Sequence, residues 1–126
     1  MTLAAVNISQ ARSVAAATYH HDAILRICRQ YTPPGVRLAG EIDHRAADPL
    51  STALQEAIRL EGDITINMAE LSFIDVSSTR MILNMARSIP RPRVMTLRCS
   101  PAVAPRFLYL GAADIPRVNV VTVHDQ

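Results

Sequence analysis

Tryptophan is absent from this chain, aromatic residues make up only 4 %, and there are two cysteines. A core without Trp has to be filled by Leu, Ile, Val, Ala and Met, and an apolar fraction of 49 % supplies enough of them. No apolar run approaches the roughly 20 residues a membrane-spanning helix needs. Arginine is scattered, with no basic run and no interleaving of basic and aromatic residues, and the formal charge is only +2. That excludes the concentrated electrostatic footprint of a nucleic-acid binder. Cys28 and Cys99 lie far apart in alternating apolar stretches, which favours buried free thiols over a disulfide. With four histidines they make no metal-ligand spacing, so no metal is expected. The opening MTLAAVNISQARSVAAATYH lacks the charged start and long apolar block of a secretory signal, and the expected location is cytoplasmic. Nor is there a nucleophile–base pair or a Gly-rich phosphate loop, and His20, His21 and His44 have no partners at catalytic spacing. The expectation is a non-enzymatic protein without a cofactor.

The length of 126 residues favours a single domain. Residues 1–22 are Ala-rich and weakly periodic, and read as an N-terminal arm, helical or disordered, before a domain over 23–126. AILRICRQY (23–31) alternates as a strand, Pro33-Pro34-Gly35 signals a turn, and GVRLAGEID (35–43) alternates again, so the two predict a hairpin. Asp48-Pro49 reads as a helix cap and first turn. Leu50, Ala53, Leu54, Ala57 and Ile58 follow at helical spacing, with Gly62 as the stop. DITINMA (63–69) is a third strand. Met81, Ile82, Met85, Ala86 and Ile89 mark the apolar face of a second helix, Arg80, Asn84 and Arg87 its polar face, and Pro90 and Pro92 its end. RVMTLRC (93–99) is a fourth strand. Phe107, Leu108 and Leu110 suggest a short helix ending at Gly111, which either starts near Pro105 or kinks there. RVNVVTV (117–123) is a fifth strand. Strands alternating with helices after a hairpin predict an α/β fold with a mainly parallel, mixed sheet of about five strands.

Between the third strand and the second helix stands LSFIDVSSTRMILN (71–84). An apolar stretch runs into Asp75 and two serines with no Gly, Pro or Asn between strand and helix. Such junctions lie at the C-terminal edge of the sheet, where sites of this fold class gather. Bland readings stand beside the functional one. Ser77 reads equally as a helix N-cap, and Asp75 as a loop residue bonding its own backbone. Glu41 and Asp43 read equally as a solvated strand end, and Arg80 as part of a solvated helix face.

LAGEIDHRAADPL (38–50) and LSFIDVSSTRMIL (71–83), with a late P…L…LG stretch at 101–111, resemble the STAS domain family over residues 23–123. The first is similar to the family's Gly-Glu-apolar-Asp strand end, the second to its apolar-Asp-Ser-Ser-Gly or Asp-x-Ser-Gly-x-Arg junction. The resemblance implies the STAS fold and an anti-sigma factor antagonist. Such a protein binds an anti-sigma factor, a GHKL-type serine kinase, and so releases the sigma factor. Phosphorylation of the junction serine ends the binding, and a metal-dependent serine phosphatase restores it. Aligned on the acid, that serine is Ser77, with Ser78 the alternative. Glu41, Asp43, Asp75, Val76, Ser77, Ser78 and Arg80 are then the implied partner-binding residues. Val76 replaces the family's first serine and Ser78 its glycine. The second departure keeps open an unphosphorylated STAS domain that binds a small ligand or nucleotide, or acts as a scaffold in a larger signalling assembly.

Overall fold

The structure, a computed structural model, describes residues 18–124. Its elements run β1 (Thr18–His21), β2 (Leu25–Tyr31), β3 (Pro34–Ile42), α1 (Ala47–Ile58), β4 (Ile64–Ile74), α2 (Val76–Arg87), β5 (Met95–Cys99), α3 (Ala104–Tyr109) and β6 (Val118–Thr122). The strands lie in a single sheet in chain order, antiparallel from β1 to β3 and parallel from β3 to β6. Parallel strands laid down in one direction, with right-handed crossovers, put every helix on the same face. The helices accordingly form one layer, α1 beside α2 and α2 beside α3.

The core lies between this layer and the sheet. Alternate strand residues supply one side: Leu25 and Ile27 on β2, Val36 and Leu38 on β3, Ile64, Ile66 and Met68 on β4, Met95, Leu97 and Cys99 on β5. Leu50, Leu54, Ile82, Leu83 and Phe107 supply the other from the helices. The opposite sheet face carries Arg37, Asn67 and Arg98 side by side in register.

Two expectations are corrected. The mixed, mainly parallel α/β sheet is as expected, with six strands where the sequence predicts about five. The extra strand, β1, falls in the stretch read as part of the arm. TYHH shows no apolar alternation, and pairing with β2 and the half-buried Tyr19, which donates to Glu56 Oε1 on α1 at 2.8 Å, hold it in place. Residues 1–17 of the expected arm lie outside the described residues. Asp48 is not a cap either. A 3-10 turn at His44–Ala46 precedes α1, and Asp43 caps that turn by accepting the Arg45 N–H at 2.9 Å. Asp48 sits inside the first turn of α1, where its charge suits the helix dipole. At the third helix Pro105 occupies the first turn, so the helix starts there rather than kinking.

Gly40, the glycine of LAGEID, has a physical reason. Its φ is +105°, and a Cβ there would lie 1.9 Å from the Ile24 carbonyl oxygen. That carbonyl accepts the Glu41 N–H at 3.0 Å, so the close approach pins the end of β3 to the start of β2, at the end of the pair away from its turn.

Candidate functional site at the Asp75 junction

β4 runs on through the whole of LSFI to Ile74, and α2 starts at Val76. The single residue between them, Asp75, does what a turn sequence would otherwise do. Its extended backbone (φ −83°, ψ 171°) ends the strand, and its side chain caps the helix. Oδ1 accepts the Ser78 N–H at 2.8 Å. Oδ2 accepts both the Ser77 hydroxyl, at 3.1 Å, and the His44 N–H, at 2.9 Å. The Asp75 N–H in turn donates to the Ile42 carbonyl at 3.2 Å. The junction is therefore tied to the end of β3 and to the 3-10 turn. Partial burial pushes the Asp75 pKa up, but donation from Ser78, Ser77 and His44 outweighs it and holds the carboxyl below the usual range.

The two serines part company here. Ser77 is exposed on the first turn of α2, whereas Ser78 is only 2 % exposed and turned into the helix–sheet layer. Thr79 is fully buried, its hydroxyl donating to the Asp75 carbonyl at 2.8 Å. Asp75, not Ser77, is thus the N-cap. Ser77 lines an open groove of about 620 Å³ with Arg80, Met81, Asn84, Met85 and Ser88 along the outer side of α2. Met81 and Met85 are half-buried at its floor.

The expected surface residues gather at this sheet edge. Val76 is 37 % exposed beside Ser77, and Arg80 lies one turn further along the same groove. Glu41 and Asp43 line a second cavity of about 240 Å³ with Asp22, Arg45 and Phe73. Glu41 is exposed, while Asp43 holds the Arg45 guanidinium at 2.8 Å, a contact that keeps the Asp43 carboxyl below its ordinary range. Two exposed apolar residues escaped the sequence reading, Ile24 and Phe73, which flank the same cavity. Phe73 had a signal: it interrupts strand alternation on the outward side two residues before Asp75. Ile24 had none, because its exposure follows from the turn between β1 and β2. Among the described residues no group of His, Cys, Asp and Glu is placed to hold a metal ion. None of their helices is long and apolar enough to cross a membrane.

An alternating β/α order, a strand running into a capping aspartate and an exposed serine on the next helix are now established. A family model described as "Mlab, STAS domain" matches residues 26–117. This chain belongs to the STAS domain family. The match runs from the second residue of β2 to the residue before β6, so both motif strand ends and all three helices lie inside the STAS domain. Anti-sigma factor antagonism is the family's typical role, and it places the chain broadly among signalling proteins that act by binding other proteins.

Proposed function

We propose that this STAS domain is an anti-sigma factor antagonist that docks on a GHKL-type serine kinase through the edge formed by Ser77, Val76, Arg80, Asp75, Asp43 and Glu41. The observation that carries the reading is the contrast at the junction. Ser77 is exposed beside an open groove, while its neighbour Ser78 is buried. In this scheme the domain is the kinase's substrate, not a catalyst. The Ser77 hydroxyl gives up its proton to a kinase base and its Oγ bonds to the γ-phosphorus of ATP. The bond from that phosphorus to the β–γ bridging oxygen breaks, and ADP leaves. A metal-dependent serine phosphatase hydrolyses the ester back to serine and inorganic phosphate. The phosphate carries about −1.5 to −2 charges. At a helix N-terminus such an anion is tolerated by the fold. Pressed against a partner shaped for a hydroxyl it is not, and about 1.4 kcal/mol lost there weakens binding tenfold.

The test is to map phosphate on the protein purified from its host across growth states, and to measure binding of the kinase by Ser77→Asp and Ser77→Ala. Phosphate that rises and falls on Ser77, with Ser77→Ala bound and Ser77→Asp released, is the expected result. Equal binding by both variants sinks the switch. The groove along α2 supports one second reading, an unphosphorylated domain that binds a small ligand there or seats on a larger assembly. That reading predicts ligand-dependent rises in melting temperature that Ser77→Ala leaves unchanged.

A further inference from the structure

One carboxylate oxygen at the junction serves two masters: Asp75 Oδ2 accepts the Ser77 hydroxyl and the His44 backbone N–H together. The first belongs to the serine of the proposed switch. The second is the first residue of the 3-10 turn that carries Arg45 and follows Asp43. We infer that Asp75 is a positioning residue that transmits the state of Ser77 to this turn, so that a phosphate on α2 also loosens the His44–Ala46 segment. The inference rests on the reading of Ser77 as a phosphorylation site and adds a second place where that modification is felt.

The direction follows from what each bond would lose. A phosphoserine Oγ has no proton, so the Ser77 donation to Asp75 disappears. In its place a group of about −1.5 to −2 charges stands beside a carboxylate. Like charges at this spacing repel, and the Asp75 side chain has to give ground at one oxygen. Oδ1 holds the N–H of Ser78, which is buried and has no water to turn to. The His44 N–H belongs to an exposed residue, and water replaces Asp75 there at little cost. The cap on α2 is therefore kept and the link to His44 is released. The turn then keeps its local ties, which include Arg45 N–H to Asp43 Oδ1 at 2.9 Å, Ala46 N–H to the Asp43 carbonyl at 3.0 Å, Ala47 N–H to the His44 carbonyl and the Arg45–Asp43 ion pair, but loses its bond to α2. Both halves of the docking edge respond to one phosphate, the first turn of α2 by charge and the Asp43–Arg45 turn by loss of its tether.

The experiment installs phosphoserine at position 77 during translation by codon reassignment, with no kinase involved, and follows backbone amide exchange by NMR. Phosphorylated protein should exchange the His44 amide about tenfold faster than unmodified protein, while the Ser78 amide stays protected. In an Asp75→Asn background, which keeps an acceptor for the helix cap, the phosphate should change His44 exchange by no more than about twofold. Ser77→Ala, which removes the hydroxyl without adding charge, should leave His44 protected. Unchanged or increased His44 protection in the phosphoprotein overturns the inference, as does an equal effect of phosphate with and without the Asp75 carboxylate. Because the phosphate is placed without a kinase, failure here leaves the switch itself standing. Absence of phosphate in the host would instead sink the switch and leave the measured coupling intact.

Discussion

At the scale of single residues, the two adjacent serines give the sharpest contrast. Ser77 faces solvent on the first turn of α2, and an aspartate there adds a negative charge at the favourable end of a helix. The nearby Asp75 carboxylate offsets part of that gain, so Ser77→Asp should change stability by less than about 1 kcal/mol. Ser78 is 2 % exposed, and a carboxylate there has to be buried beside Asp75, the acceptor of its own N–H. Ser78→Asp should therefore cost about 3 kcal/mol or more. Urea unfolding of the two variants separates these outcomes through the denaturation midpoint. Comparable losses in both would mean that the first turn does not distinguish its two hydroxyls. The asymmetry also bears on chemistry, since a phosphate on Ser78 would have to break the helix start that a phosphate on Ser77 leaves in place.

At the scale of elements, most of the architecture was legible because the apolar periods are clean. The alternation in 23–31, 35–43 and 93–99 and the helical spacing from Leu50 to Ile58 each became the expected element. What escaped was fixed by contacts made far along the chain. β1 shows no pattern of its own and exists through pairing with β2 and the Tyr19–Glu56 bond. Asp75 as the cap, rather than Ser77, depended on where β4 stops, and β4 runs five residues past the point at which alternation reads clearly. Two arginines outside any motif prove to tie down the chain where helices end. Arg93, just before β5, donates to the Ile58 and Gly62 carbonyls at 2.6 and 2.7 Å after α1. Arg117, just before β6, does the same for the Ile89 carbonyl at 2.7 Å after α2. The Ile58 carbonyl, the last of α1, is one of the free carbonyls of a helix end that need such a partner, and a cation suits the negative end of the dipole. Gly62 and Ile89 lie just past their helices, where the arginines tie down the loops that follow. Arg93→Met keeps an apolar stem of similar reach and removes both donations. It should lower stability by about 1–3 kcal/mol, read by urea denaturation, with faster amide exchange confined to the last turn of α1 and the following loop. An unchanged midpoint would show that water serves those carbonyls equally well.

At the scale of the whole molecule, the shifted groups fall into two sets that bound stability from opposite sides. On the acid side stand Asp22, Asp43 and Asp75, all with folded values below the ordinary 3.8. The Ile24 and Leu25 N–H groups and His20 hold Asp22 down to about 2. A group depressed on folding stabilises fully above its unfolded value, and that contribution is lost as pH falls through the folded value. Stability should therefore decline from about pH 4 downward, with most of the Asp22 share lost by about 2. On the alkaline side, burial pushes the Cys99 thiol from 9.0 up to about 12. Burial, reinforced by the bond to Glu56, pushes Tyr19 from 10.0 up to about 12. These groups are raised, so their contribution is whole below the unfolded value and lost as pH rises through the folded one. The unfolded chain sheds its thiol proton from about 9 and its phenol proton from about 10, and the folded state weakens over the window up to about 12. Urea midpoints taken across this range should trace a plateau between the two limbs. Cys99→Ala should flatten the start of the alkaline limb, at the cost of a small cavity under β5, and Tyr19→Phe its later part, while neither moves the acid limb. Asp22→Asn should do the reverse. An alkaline limb that keeps its full slope in the Cys99→Ala, Tyr19→Phe double variant would mean that burial of these two groups, and with it the docking of β1 on α1, does not set the upper pH limit of the fold.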